Sequence, residues 1–200
     1  MHILLPILGY LIGAIPFGLV IGKMVGVDVR TQGSRNIGAT NVNRVLGKKL
    51  GVVTLICDCL KGFLPMYGAA MLLPESPNKE LIVVLTGLMA ILGHMFPVYL
   101  HFRGGKGVAT GMGVFLYLSG PAILLSLIVF LVTVAVTGFV SAGSLAAAGL
   151  IPFWLYLLGA SKITIGTAAV IALLIWGKHH ENISRLAHGT EKSWRQGREK

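Results

Sequence analysis

The sequence predicts an all-α, polytopic integral membrane protein with seven transmembrane helices, its N-terminus outside and its C-terminus cytoplasmic. Three observations predict it. Only 12% of the 200 residues are charged while 54% are hydrophobic, with a mean hydropathy of +0.80, about half the charge of an ordinary soluble domain. The apolar residues fall in runs near the roughly 20 residues that cross a bilayer as a helix. The basic residues behind the formal net charge of +10 sit in clusters between those runs. That is the pattern of the positive-inside rule, not the spread basic and aromatic surface of a nucleic-acid binder, so no nucleic-acid partner is expected.

The first helix is expected at 3–22; it lacks a basic n-region and an A-x-A site, so it reads as a retained span and not a removed signal peptide. A polar, basic loop leads to the second helix at 52–73, and a short connection centred on SPNK leads to the third at 81–101. The fourth, at 108–119, is short and Gly-rich at its start, with a re-entrant segment as its alternative. The fifth (121–138) and sixth (143–160) meet at VSAGS, and GASK introduces the seventh (163–177) before a tail at 178–200. All but Lys61, Lys79 and Lys162 of the 17 Lys and Arg lie in the first loop, the third loop or the tail, which places these three in the cytoplasm. No linker or convincing repeat divides the chain, so residues 1–200 read as one membrane domain. Cys57 and Cys59, two apart, would point to different sides of a helix and read as small core residues.

The polar residues gather in a few motifs. GSRNIGATNVNR at 33–44 places Ser34, Asn36, Thr40, Asn41 and Arg44 among glycines. Glycine lets backbone N–H groups approach an oxyanion while the side chains add donors, an arrangement suited to phosphate. Lys48 and Lys49 fit simple contact with anionic lipid headgroups. In FRGGKGVATG, Gly107 follows Lys106 where a P-loop needs Ser or Thr, so the nucleotide reading fails. What survives is an anion site of Gly104, Gly105, Lys106, Gly107 and Thr110 at the start of a helix, with an interfacial lysine anchor as the plainer alternative.

Asp58 and Lys61 in DCLKG share a helix face inside an apolar run and can neutralise each other, as site support or as a structural ion pair. His94 in GHMFP has hydrogen-bonded structure as its default role. In the tail, His179, Asn182 and Arg185 recur at three-residue spacing on one helical face. Ser141 and Ser144 in VSAGS are explained adequately by helix packing, and Ser141 is also a candidate for substrate binding.

Together these motifs predict one cytoplasmic mouth rich in donors and poor in acceptors, since Asp28 and Asp58 are the only Asp residues. No carboxylate cluster suits a Mg²⁺-dependent transferase, no His has an Asp five positions on, and no G-x-S-x-G is present. A site that binds phosphate without a strong base suits a substrate that brings its own base and leaving group, as an acyl phosphate does. A transporter of phosphate or of a phosphorylated alcohol is the alternative, since Gly-broken helices and a basic site also suit one; the clustering of polar residues at one face argues against it.

GSRNIGATN, DCLKG, GHMFP, FRGGKGVAT, VSAGS and HHENISRLAHGTE, in this order, resemble the bacterial acyl-phosphate:glycerol-3-phosphate acyltransferases, the PlsY-type membrane acyltransferase family. The resemblance runs from IPFG at 15–18 to the tail. It implies a seven-helix fold in the bacterial plasma (inner) membrane with its active site facing the cytoplasm. It implies acyl transfer from acyl phosphate to the 1-hydroxyl of glycerol-3-phosphate, giving lysophosphatidic acid and inorganic phosphate in the first acylation of phospholipid biosynthesis. No metal or cofactor is implied; membrane lipids and an upstream enzyme that forms acyl phosphate are the implied partners. On this reading Ser34, Arg44, Lys106 and the glycine amides hold phosphate. Asn36, Thr40, Asn41, Thr110, His179 and Asn182 orient glycerol and polarise the acyl carbonyl, and Asp58, Lys61, His94 and Arg185 give support. The base is a substrate phosphate, with His179 or His94 as the competing choice. The chain departs from the family's pattern at Arg35, where glycine is usual, and at Ala14, Gly138 and Phe139.

Overall fold

The computed structural model describes residues 2–195 and contains, among them, ten α-helices and no strand. They divide into two compact units, up to Leu118 and from Ser119 on.

In the first unit, α1 (Leu4–Gly13) and α2 (Phe17–Met24) replace the single helix expected at 3–22. The interruption is chemical: Pro16 has no N–H to donate and drives Ile15 out of helical geometry. A short amphipathic helix, α3 (Ala39–Leu46), lies inside what the sequence presents as a loop, and Gly47 at φ 88° separates it from α4 (Lys48–Leu72). Lys48 and Lys49 therefore open a helix. α5 (Lys79–Met95) ends six residues earlier than expected because Phe96-Pro97 breaks it, and a 3-10 turn (Val98–Leu100) follows before α6 (Val108–Leu118). α1 packs on α5 and α4 on α6, at contacts where a Cβ on Gly13 would strike the Ala90 carbonyl and one on Gly62 the Thr110 carbonyl. Small residues let membrane helices approach this closely. Cys57 and Cys59 are only half-buried and unbridged, so the expectation of core positions is corrected: α4 turns that side partly outward.

The second unit holds α7 (Gly120–Thr137), α8 (Val140–Leu157), α9 (Lys162–Lys178) and α10 (His180–Ala187). Ser119 caps α7 by accepting the Ala122 N–H, and Ser161 caps α9 by accepting the Thr164 N–H. Gly138, left-handed at φ 79°, ends α7 so abruptly that VSAGS falls inside α8 and not at a junction. α10 turns 61° away from α9 at His179.

Each of the seven expected apolar segments contains helix, the first broken in two and the third ending at Met95. Among the described residues, five spans are long and apolar enough to cross a membrane, six if α9 and α10 count as one bent span; Val108–Leu118 is apolar but shorter. Leu124, Leu131, Val132 and Val136 leave α7 with a broad exposed apolar face, as a lipid-facing helix requires.

Candidate active site

The first loop is a folded structure organised by Asn41. Buried at the start of α3, Asn41 donates from Nδ2 to the carbonyls of Val29 (2.9 Å), Gln32 (3.2 Å) and Asn36 (2.9 Å), and its Oδ1 accepts the Ser34 N–H at 2.7 Å. Both ends of the amide are thus occupied within the loop, so the structure gives Asn41 to holding the loop instead of the substrate-facing role expected from its residue type. Asn36 Oδ1 accepts the Gly38 N–H at 2.9 Å and shapes the entry to α3. Gly33 sits at φ 63°, where a Cβ would also collide with Asn41 Oδ1. Underneath, Val29, Ile37 and Val42 form a small core with Leu19 of α2, and Leu46, Leu50 and Leu100 pack against it. Leu100 belongs to the turn that leads into the GGKG segment, so both motifs are anchored on one core.

The scaffold leaves Ser34, Thr40 and Arg44 exposed. Thr40 and Arg44 are four apart on α3 and therefore share a face. The Asp28 carboxylate is already engaged by a neighbour. The Arg30 guanidinium donates to it at 2.7 and 3.0 Å, and these bonds, with the Arg30 N–H, hold its carboxyl down at about 2.

Beneath the second motif lies a buried polar trio. Lys61 Nζ is 2.8 Å from Asp58 Oδ1 and donates at 2.8 Å to the Ile15 carbonyl, which also accepts the Phe17 N–H at 3.1 Å at the break between α1 and α2. The Phe17 ring lies 5.7 Å from the same ammonium. His94 Nδ1 approaches the same Asp58 oxygen at 3.7 Å. His94 is buried, in keeping with a structural role, and its carbonyl accepts the Gly105 N–H at 3.0 Å. Gly105 therefore has no N–H to offer a phosphate, which corrects its expected role. Gly107, at φ 82°, turns the chain into α6, whose Gly111 N–H bonds back to its carbonyl at 2.7 Å. Lys106 between them is half-buried. Thr110 is fully buried against Gly62, and its hydroxyl has no hydrogen-bond partner among the described residues.

In the second unit, Glu191 gathers the polar side chains. It accepts from Ser141 Oγ (2.7 Å), Asn182 Nδ2 (2.6 Å) and Arg185 Nε (2.6 Å). Burial pushes its carboxyl up, but those three donors outweigh burial and the net shift is downward. Ser141 thus ties the start of α8 to the segment after α10, a role beyond helix packing. His179 Nδ1 lies 2.8 Å from the Ile175 carbonyl. A carbonyl only accepts, so Nδ1 carries the proton and Nε2 is the basic nitrogen of the neutral ring. Glu191 is missing from the acceptors expected of the sequence, which count Asp alone; its place at the end of HHENISRLAHGTE is the signal that could have found it.

Similarity to known proteins is extensive. The family profile described as Glycerol-3-phosphate acyltransferase matches residues 3–189. A glycerol-3-phosphate acyltransferase of Desulfotalea psychrophila is 67% identical over 195 residues, covering 98% of this chain and 99% of its own. One from Geotalea daltonii is 49% identical over 191 residues, covering 95% and 96%. Two crystal structures of PlsY (YgiH), an integral membrane glycerol 3-phosphate acyltransferase, share the fold. Its glycerol 3-phosphate form aligns with TM-score 0.90 at 42% identity, over 96% of this chain and 95% of that one. Its lysophosphatidic acid form aligns with TM-score 0.89 at 41% identity, over 96% and 94%.

Proposed function

The chain belongs to the glycerol-3-phosphate acyltransferase family, and from that premise we propose that it transfers a fatty acyl group from acyl phosphate to the 1-hydroxyl of sn-glycerol-3-phosphate. It is an acyltransferase and a multi-pass membrane protein. The products are lysophosphatidic acid and inorganic phosphate. The hydroxyl oxygen attacks the acyl carbonyl carbon, the bond from that carbon to the phosphate oxygen breaks, and the hydroxyl proton ends on phosphate.

The observation that carries this reading is the donor surface of the first loop. Ser34, Thr40 and Arg44 stand exposed on a scaffold whose own polar groups are satisfied internally, and the nearby carboxylate, Asp28, is closed by Arg30. Such a surface favours phosphate and supplies no carboxylate base, which suits a donor that carries its own. Ser34, Arg44 and Lys106 hold phosphate, with amides at the start of α6. Electrostatic positioning of this kind contributes several kcal/mol. Asn36 and Asn41 act by keeping the loop in shape.

In the bacterial inner membrane the chain would form one domain of seven spans, with α6 as the short one, its N-terminus outside and both the catalytic face and the tail in the cytoplasm. An upstream enzyme that makes acyl phosphate supplies the donor. The transporter alternative gives way, because the relatives matched along the whole chain are acyltransferases.

The test is phosphate release from palmitoyl phosphate by the purified protein, with and without glycerol-3-phosphate, in EDTA, and with acyl-CoA and acyl-carrier protein as rival donors. Release that requires glycerol-3-phosphate, persists in EDTA and yields lysophosphatidic acid is expected. Turnover from a rival donor but none from acyl phosphate would refute the donor assignment.

A further inference from the structure

We propose that Asp58 is the hub of a buried positioning device that sets the GGKG loop through the imidazole of His94. This rests on the reading that the loop holds substrate phosphate. One oxygen, Asp58 Oδ1, faces both Lys61 Nζ at 2.8 Å and His94 Nδ1 at 3.7 Å. All three side chains are at most 3% exposed.

An ion pair that served only to hold helices together would have no reason to touch the loop, yet this one reaches it through His94. The His94 carbonyl accepts the Gly105 N–H at 3.0 Å, and a Cβ at Gly105 would overlap the Nε2 edge of the ring. The Gly105 backbone therefore lies directly on the imidazole, held by the main chain and seated on the side chain of the same residue. Gly104 lies against the His94 carbonyl and Pro97, and Gly107 against the Met95 methyl. Ring orientation consequently fixes loop height, and the Asp58 carboxylate facing Nδ1 fixes ring orientation. At the other end, Lys61 fastens the carboxylate to the Ile15 carbonyl at the α1–α2 break.

His94 and Asp58 act here as positioning residues. Neither needs to touch substrate, and the loop carrying Lys106 has the position they give it. Misplacing a binding group by about 1 Å costs on the order of a hundredfold.

The experiment compares wild type, His94→Ala, His94→Asn, Gly105→Ala and the His94→Ala/Gly105→Ala double variant as full chains purified in detergent. The readouts are KM for glycerol-3-phosphate, kcat, thermal unfolding, and equilibrium binding of radiolabelled glycerol-3-phosphate, which needs no acyl donor. His94→Ala is expected to raise KM and weaken binding by about tenfold or more, with kcat changed less than about threefold. His94→Asn keeps a donor toward Asp58 but removes the ring, and shifts KM in the same direction. Gly105→Ala alone is harmful because it strikes the ring; in the double variant that clash is gone, so the double is no worse than His94→Ala. Unchanged KM and binding in His94→Ala, or fully additive losses in the double variant, overturn the inference. Should His94→Ala not fold, unchanged KM and binding in His94→Asn overturn it equally. Wild-type protein that binds no glycerol-3-phosphate refutes the functional reading itself, a result distinct from either.

Discussion

Replacing Asn41 with alanine should raise KM for glycerol-3-phosphate by about thirtyfold to several hundredfold while leaving the transmembrane helices folded. The substitution removes every hydrogen bond of the amide at once: the two Nδ2 protons are shared among the carbonyls of Val29, Gln32 and Asn36, and Oδ1 accepts the Ser34 N–H. A net hydrogen bond contributes about 0.5–1.5 kcal/mol, and a buried polar group left unpaired costs about 1–3 kcal/mol. Water can reach most of these groups, since residues 30–35 are exposed, but the Val29 carbonyl is bonded to Asn41 inside the fold. One buried carbonyl plus three partly resolvated groups gives about 2–4 kcal/mol for keeping the loop in shape. Substrate binding must then supply that ordering energy, and each 1.4 kcal/mol is about tenfold in affinity. The assay is steady-state KM and kcat with glycerol-3-phosphate varied at saturating acyl phosphate, beside thermal unfolding in detergent. An unchanged KM would refute the assignment of Asn41 to loop organisation. So would a global loss of melting temperature with KM intact, since its hydrogen bonds are local to the loop.

Other substitutions test other parts of the structure. Lys61→Met alone leaves the Asp58 carboxylate buried without its cation and should cost about 3–5 kcal/mol, whereas Asp58→Asn with Lys61→Met should unfold within a few degrees of wild type; equal losses would show that the pair is not balanced by charge. Glu191 has a folded pKa below the ordinary 4.5, so the stability it contributes is present above that value and is lost as pH falls through the lower folded one. Wild type should therefore lose stability on acidification over that window, and Glu191→Gln should be less stable at neutral pH with a flatter profile; parallel curves would refute this. Arg35 holds φ 59° without being glycine. Arg35→Gly should thus be tolerated, and Arg35→Val, β-branched in a left-handed position, should raise KM for glycerol-3-phosphate by disturbing Ser34; tolerance of both would remove any constraint from that conformation.

The apolar segments were legible because a bilayer demands long hydrophobic runs, and the family was legible because six polar motifs occur in order. The breaks were less so. Pro16 and Pro97 stand in plain view, but membrane helices also tolerate proline, as Pro65 in α4 and Pro152 in α8 do here. α3 was hidden because eight residues, half of them polar, resemble a loop until Val42 finds Leu19 and Val29. Residue type gave Asn41 as a hydrogen-bonding group without saying where it points, and only the fold shows its amide turned inward. The contact of His94 with Gly105 is tertiary in origin and left no pattern of spacing to read.

The carboxylates show why the exposed donors can serve two anionic substrates. Asp28 with Arg30, Asp58 with Lys61, Glu75 with Lys79, and Glu181 and Glu191 with Arg185 each lie within salt-bridge distance of a cation. These acids are thus engaged in local structure, and the exposed Arg44 of α3 is left to face phosphate. It follows that an unpaired carboxylate on the exposed face of α3 should be harmful through its charge and not its size. Thr40→Glu and Thr40→Gln introduce side chains of nearly equal volume. At about 6 Å from a bound phosphate, in the intermediate dielectric of an exposed site, the added charge costs about 1–2 kcal/mol. Thr40→Glu should therefore have a KM for glycerol-3-phosphate about five- to thirtyfold above that of Thr40→Gln, and the gap should shrink as salt rises. Equal KM values for the two variants would mean that phosphate does not bind beside α3, and the site would have to be sought elsewhere in the chain.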